Sequence, residues 1–306
     1  MSITQIFNQL FNAQVDNQYF EIRKDAFLLD TETHQHFLKN GWCKLSNVVA
    51  QKEIDSFTET FNEISKIDGF VLDDHFQNTG CGCNPAVRSK TQDFINQNVS
   101  TILPRIFNME KVSAHTGGTY QVKPASPVSE LEIHQDSTVV DEEKDYCIFL
   151  WIPLCEITET NGPIWVLPGS HLWGNTQRSL GVPWHLMKHI DILRKYMFPV
   201  TVKLGDALIF DPALVHGSTP NFSKETRHSI TITVLRKNYQ LVYFFKDKKT
   251  NKDSIEKYEV DETFYETYDF VARPDESKWK KEIVKYKPFD LSQKELVQLI
   301  ETHLPK

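Results

Sequence analysis

Leu131-Glu132-Ile133-His134-Gln135-Asp136-Ser137-Thr138 reads as a short strand running into a polar turn. Strand side chains alternate between faces, so His134 and Asp136 point the same way, and an imidazole and a carboxylate can reach one ion together. The same texture extends outward on both sides. Short runs rich in β-branched and aromatic residues occupy 118–123, 146–153, 163–167, 200–203, 207–211 and 229–235. Asn161-Gly162-Pro163, Pro168-Gly169 and Gly205-Asp206 punctuate them as turns. Many short strands separated in this way predict a sandwich or barrel, not βαβ units. Leu186, Met187, Ile190, Leu193 and Met197 mark one helix inserted among them.

The chain before residue 105 is mostly helical in pattern. Ile54, Phe57, Phe61 and Ile64 make one apolar stripe on an amphipathic helix. A helix ending at Asn40-Gly41 precedes a short strand, Gly41-Trp42-Cys43-Lys44-Leu45. Residues 239–290 are rich in Tyr, Phe, Lys and Glu without a clean period, which predicts irregular or short-strand structure. Ser292-Gln293-Lys294-Glu295 is a capping-box pattern ahead of a final helix. The expectation is a single domain over 1–306: a helical part to 105, a β core over 106–236, and a C-terminal extension from 237.

Composition narrows the function classes. Aliphatic and aromatic residues are 40% of the 306, enough for a substantial core, and charged residues are 25%. Net charge is −7, and Lys and Arg form no basic stripe, so nucleic acid is not an expected partner. The lysine-rich run from Lys246 to Lys252 is interrupted by Asp247 and reads as a solvated turn. The five cysteines, at 43, 81, 83, 147 and 155, have no disulfide-framework spacing. Cys81-Gly82-Cys83 has no second pair at a zinc-ribbon distance and reads as loop thiols. Met1-Ser2-Ile3-Thr4-Gln5 shows no secretory pattern, and no run of roughly 18 apolar residues predicts a membrane span, so a cytoplasmic setting is expected.

With eleven histidines in the chain, an HxD pair alone is a weak signal. His34-Gln35-His36 has similar spacing but lies in a helical pattern, where residues two apart face about 200° apart; it reads as surface. His185 and His189 share a face of the inserted helix, yet they lack the glutamate of the zinc-protease motif. They read as solvated or substrate-edge residues. A third ligand to complement His134 and Asp136 is His216, which follows the apolar strand Ala207-Leu208-Ile209-Phe210. Two histidines and a carboxylate with positions left open match the facial triad of non-haem Fe(II) oxygenases. Arg227 heads the strand Arg227-His228-Ser229-Ile230-Thr231-Ile232-Thr233-Val234, which sets Arg, Ser, Thr and Thr against His, Ile, Ile and Val. One face is thus polar and headed by a guanidinium, whose planar fork suits a carboxylate; an exposed strand face would show the same alternation.

Taken in order, His134-Gln135-Asp136, Asn161-Gly162-Pro163-Ile164-Trp165-Val166-Leu167-Pro168-Gly169-Ser170-His171, Gly205-Asp206, His216-Gly217-Ser218 and Arg227 resemble the phytanoyl-CoA dioxygenase family. The resemblance runs from about residue 30 to about residue 236, and the tail falls outside it. It implies a mainly β fold with flanking α-helices: a double-stranded β-helix, or jelly roll. It further implies that His134, Asp136 and His216 bind Fe(II), and that Arg227, helped by Ser218, pairs with the distal carboxylate of 2-oxoglutarate. Trp151 and Gln135 match family positions near that cosubstrate, and the resemblance adds Lys123 or Gln121 from the preceding strand. His171 is implied to be structural. The implied reaction uses O2 to decarboxylate 2-oxoglutarate to succinate and CO2 and hydroxylates a substrate C–H bond. Related halogenases carry a small residue where this chain keeps Asp136, so hydroxylation is expected over chlorination.

The substrate is not legible beyond a small organic molecule. Asp141-Glu142-Glu143-Lys144-Asp145 and the segment 171–197, with Trp173, Trp184 and His185, are candidate covers of the site. The tail 239–290 is a candidate pocket wall or homodimer contact. A non-catalytic jelly-roll binding protein and a peptide or protein hydroxylase are the competing readings. An intact triad together with Arg227 favours the enzyme, because a binder needs no cosubstrate anchor.

Overall fold

The computed structural model describes residues 13–68, 70, 72–80, 84–247, 252–268 and 272–304. Two antiparallel sheets form the centre. The larger orders β1 (Trp42–Leu45), β8 (Ala207–Phe210), β5 (Cys147–Pro153), β10 (Arg227–Arg236), β3 (Val112–Lys123) and β2 (Gln77–Asn78). The smaller orders β4 (Leu131–His134), β9 (Val215–Ser218), β6 (Ile164–Leu167) and β7 (Phe198–Val200). The fold is mainly β with flanking helices, a jelly roll.

The alternation of β10 sets which face is which. Ile230, Ile232 and Val234 are fully buried in the main apolar core, while Thr231 and Thr233 line a cavity. Helices cover the core side: α1 (Ala13–Arg23), α2 (Thr31–Asn40), α3 (Gln51–Ile64) and α4 (Pro85–Val99). Ile54, Phe57, Phe61 and Ile64 of α3 are all buried in that core, each stabilising by about 1.5–3 kcal/mol. Asp30 caps α2 by accepting from the Thr33 N–H at 2.7 Å. Gly41 ends the helix in the left-handed region, φ 77°, and its N–H returns to the Phe37 carbonyl.

Several expectations change. His34 is buried, not surface, because its ring packs edge-on against Phe27 at 4.5 Å. The strand expected at 200–203 ends at Val200, which pairs with Ile164. The next rung would fall on Pro163, which has no N–H, so Val202 instead bridges to Ile157. The inserted helix splits into a 3₁₀ turn, His185–His189, and α5, Ile190–Tyr196. Four positions of a 3₁₀ turn lie about 120° apart, so His185 and His189 do not share a face.

The tail is more regular than its composition suggests. β11 (Leu241–Phe245), β12 (Ser254–Val260) and β13 (Lys280–Lys285) form a third antiparallel sheet. Helix α6 (Glu262–Thr267) follows β12, and α7 (Gln293–His303) closes the chain behind the Ser292/Glu295 capping box. Cys43, Cys147 and Cys155 are free thiols. The Cys81-Gly82-Cys83 segment, residues 1–12 and residues 248–251 of the lysine-rich run lie outside the described residues. Among the described residues no helix is long and apolar enough to cross a membrane.

Gly41→Ala should destabilise the fold by about 2 kcal/mol or more, because φ is positive and a Cβ there would enter the His171 ring. A urea midpoint implying a loss under about 0.5 kcal/mol would contradict this packing.

Candidate metal centre

Strands β4 and β9 run antiparallel in a register that sets His134 directly opposite His216. Their ring centroids are 4.4 Å apart. Gly217 permits this approach, since a Cβ there would lie 2.9 Å from the Leu131 carbonyl oxygen and 3.2 Å from the Ile133 backbone. Asp136 lies just past the end of β4. Its N–H donates to the Pro212 carbonyl at 2.9 Å, tying it to the loop that enters β9. One carboxylate oxygen of Asp136 is 3.4 Å from His134 Nε2 and the other is 3.4 Å from His216 Nε2. One donor atom from each of the three residues lies within 4.8 Å of the other two.

The outer ring nitrogens settle the tautomers. His134 Nδ1 is 2.7 Å from the Glu132 carbonyl and His216 Nδ1 is 3.0 Å from the Leu214 carbonyl. A carbonyl only accepts, so each Nδ1 carries a proton, and Nε2 is the nitrogen of each ring that can ligate a metal when the ring is neutral. Burial, with the neighbouring charge of His134, pushes His216 down to about 4, which keeps it neutral. Burial would lower His134 too, but Asp136 outweighs it and the net direction is upward. Burial would raise Asp136, yet His216 and His134 together hold it below the ordinary carboxylate range. Two imidazole lone pairs and an ionised carboxylate converging on one space suit a divalent first-row transition metal with open positions.

A supporting layer fixes Asp136 from behind. Arg178 Nε donates to the Asp136 carbonyl at 2.8 Å, and its guanidinium makes two 2.7 Å bonds to Glu142. Both side chains are buried, which makes the pair costly to break. Gln135 points away from its neighbours. Its Nε2 donates to the Ala213 carbonyl at 2.6 Å, and its Oε1 accepts from Asn175 Nδ2 at 2.8 Å and Trp184 Nε1 at 3.3 Å. The Arg178–Glu142 pair went unforeseen: the partners are 36 positions apart, and only the acidic run 141–145 hinted at it.

A second group of residues gathers where β10 begins. Arg227 pairs in register with Lys123 of β3, and both are buried. The Arg227 guanidinium donates to the Gly162 carbonyl and lies 5.5 Å from the Trp151 ring centroid, while its Nε has no hydrogen-bond partner. Lys123 Nζ donates to the carbonyls of Ser129 and Thr219, the latter at 2.9 Å. Burial, reinforced by the Arg227 charge, pushes the Lys123 amine down to about 6; burial brings Arg227 down to about 10. Among the described residues neither cation forms a salt bridge to a carboxylate. Trp151 Nε1 donates to Gln121 Oε1 at 2.9 Å, and Ser229 adds a 3.2 Å bond to the same oxygen. Ser218 Oγ is buried without a partner.

A cavity of about 580 Å³ opens above the three convergent residues. Gln121, Thr231, Thr233, Phe149 and Phe210 line it, together with Trp184 and His185 of the 171–197 segment. Tyr243, Tyr265, Tyr286 and Phe289 extend its wall from the tail. Arg227, Lys123 and Ser218 are not on its lining. His171 is buried away from the centre, with Nε2 3.1 Å from the Leu38 carbonyl. His189 Nε2 is 2.8 Å from the Leu291 carbonyl, and Trp173 stacks on Phe289; both hold the tail in place.

A family model described as phytanoyl-CoA dioxygenase (PhyH) matches residues 37–229. Phytanoyl-CoA dioxygenase 1 of Oryza sativa subsp. japonica is 32% identical over 112 residues, 35% of this chain and 39% of that protein. The chain thus spans about two fifths of that relative's length. The peroxisomal phytanoyl-CoA dioxygenase of Bos taurus is 23% identical over 271 residues, covering 80% of this chain and 79% of its own. Among solved structures, EctD from S. alaskensis with 2-oxoglutarate and 5-hydroxyectoine shares the fold. It has a TM-score of 0.50 and 19% identity, over 73% of this chain and 82% of that one. The family model spans well over half of the sequence and contains all three convergent side chains, and the chain belongs to the phytanoyl-CoA dioxygenase family.

Proposed function

We propose that this chain is an Fe(II)- and 2-oxoglutarate-dependent dioxygenase that hydroxylates a C–H bond of a small organic substrate, releasing succinate and CO2. The observation that carries the reading is the convergence of His134 Nε2, His216 Nε2 and the Asp136 carboxylate. Bound there, ferrous iron supplies the redox chemistry that couples decarboxylation of 2-oxoglutarate by O2 to oxygenation of the substrate. His134, Asp136 and His216 would hold the metal, and the Glu132 and Leu214 carbonyls keep Nδ1 of both imidazoles protonated so that Nε2 is the ligating nitrogen. Arg178 and Glu142 keep Asp136 in place.

Arg227 is the anchor for the distal carboxylate of 2-oxoglutarate. A buried amine beside a buried guanidinium resists taking up its own charge unless an anion joins them, and a dicarboxylate is such an anion. Arg227 gives it a fork of donors, Lys123 an amine that the anion helps to protonate and Ser218 Oγ an unused hydroxyl. Trp151 and Gln121 form the wall beside it. Gln135 serves by tying the segment carrying Asn175 and Trp184 to the strand of the metal ligands. The C-terminal sheet contributes walls to the same cavity, so we read 1–306 as one functional domain.

Anaerobic calorimetry should find one ferrous ion bound by the wild type and none by Asp136→Ala, with the urea midpoint little changed. Arg227→Ala should weaken 2-oxoglutarate by about 1.5–3 kcal/mol while leaving iron affinity intact; wild-type titration behaviour would remove the arginine from the anchor. Absence of succinate from wild-type protein with Fe(II), 2-oxoglutarate, ascorbate and air would favour a binding protein instead. Lys123 gives a pH signature. Its folded-state pKa, about 6, lies below the ordinary value near 10.4, so between them the unfolded chain binds the extra proton. Stability without cosubstrate should therefore rise with pH through this window, by about 1 kcal/mol per unit from this group. Lys123→Met should flatten that slope between pH 6.5 and 8.5 in urea titrations, and an unchanged slope would show that the amine stays protonated.

A further inference from the structure

We propose that the cavity above the metal centre admits an uncharged, predominantly apolar small molecule, and that an apolar rim formed by Leu180 and Met187 selects it. This rests on the oxygenase reading for which end of the ligand reacts, not for what the cavity admits. The first observation is the rim. Leu180 and Met187 line the cavity yet are 58% and 60% exposed, so they set bare apolar surface at its mouth. Apolar side chains left in water beside a deep cavity gain by covering a ligand of the same character.

The second observation is the wall. The tail supplies Tyr243, Tyr286 and Phe289, and the segment before α5 supplies Val182, Pro183 and Trp184. His185 Nε2 and the Tyr286 hydroxyl, 3.1 Å apart, join the two segments. The volume of about 580 Å³ is that of an ordinary small-molecule site, and its exposed surface is mainly apolar, with polar side chains such as Gln121, Asn175 and Thr231 set among the apolar ones.

The third observation is charge. Among the described residues the cations on the lining are Arg178 and Lys287. Arg178 is held bidentately by buried Glu142, and Lys287 pairs with Glu143. Glu132 and Asp136 line the cavity too, so its two carboxylates match its two cations, each of which already has a partner. Lys246 lies behind Tyr286, 4.7 Å from the ring centroid, and its amine donates to the Lys252 and Ser254 carbonyls. An anionic group reaching the outer part of the cavity, away from His134, Asp136 and His216, would be desolvated without an unpaired cation to receive it.

A pair of fluorescent probes built on one scaffold tests the charge preference. N-phenyl-1-naphthylamine is neutral; 8-anilino-1-naphthalenesulfonate is the same scaffold with a sulfonate. The neutral probe should bind the full chain at least about tenfold more tightly than the sulfonate. Leu180→Asp and Met187→Asp should each weaken the neutral probe about fivefold or more, with thermal midpoints unchanged because both positions are exposed. Equal or tighter binding of the sulfonate would overturn the proposal and make the lysines around Tyr286 the recognition element. Rim variants that left the neutral probe's affinity untouched would overturn it as well, by placing the probe elsewhere. Binding needs no turnover, so the two readings fail separately. If the probe behaves as expected and ferrous iron does not bind, the cavity assignment stands and the oxygenase falls. If iron and 2-oxoglutarate bind and the sulfonate is preferred, the reverse holds.

Discussion

Register between β4 and β9 is the constraint on which the rest of the site depends. In an antiparallel pair a slip of one residue turns every side chain to the opposite face. At the observed register His134 and His216 face each other and their Nε2 atoms converge on Asp136; one position off, Ile133 or Gln135 would take the place of His134. Three features hold the pairing. Gly217 lets β9 close on the Leu131 and Ile133 backbone, Asp136 N–H bonds the Pro212 carbonyl, and Ile133 and Val215 are buried together in one apolar cluster. The smaller sheet is short-stranded, so these local locks decide what a long ladder would otherwise enforce.

Buried charge distinguishes the frame of the site from its working groups. Around His134, Asp136 and His216 the charges are compensated: Arg178 by Glu142 on one side, and Arg23 by Asp211 at 3.3 Å on the other. Asp211 lies in the loop that accepts the Asp136 N–H through Pro212, so the Arg23 pair ties α1 to the strand of His216. At Arg227 and Lys123 the opposite holds, with a guanidinium and an amine desolvated together and the arginine Nε without a partner. Compensated pairs hold a backbone still, and uncompensated buried groups cost stability.

How much of this was legible depended on range. The alternation of Arg227–Val234 foretold both faces of β10, and the stripe on α3 foretold its buried side, because each pattern lies within one element. The three convergent residues could be picked out because HxD is local and His216 follows a recognisable apolar strand. Strand β9 was missed because Val215-His216-Gly217-Ser218 is too short to alternate. The third sheet was hidden by charges: Glu256 and Lys257 in β12 are buried, one gripped by Arg273 and the other paired with Asp141 and Glu282. A buried ion pair reads as solvent-facing in any one-dimensional pattern. The same holds for Arg178 with Glu142, whose meeting follows from the fold and not from spacing. His34 was misread for a related reason, since its burial comes from Phe27 in a neighbouring segment.

The centre and the buried cation pair stand or fall together in anaerobic absorption spectroscopy. Ferrous iron alone should leave the protein colourless in the visible region. Adding 2-oxoglutarate without O2 should produce a weak charge-transfer band, as the chelated keto acid accepts electron density from the metal. The band should vanish in Asp136→Ala and require much more 2-oxoglutarate in Arg227→Ala. A wild-type protein that is well folded and shows no such band at saturating iron and 2-oxoglutarate would contradict the assignment of His134, Asp136 and His216 to this chemistry.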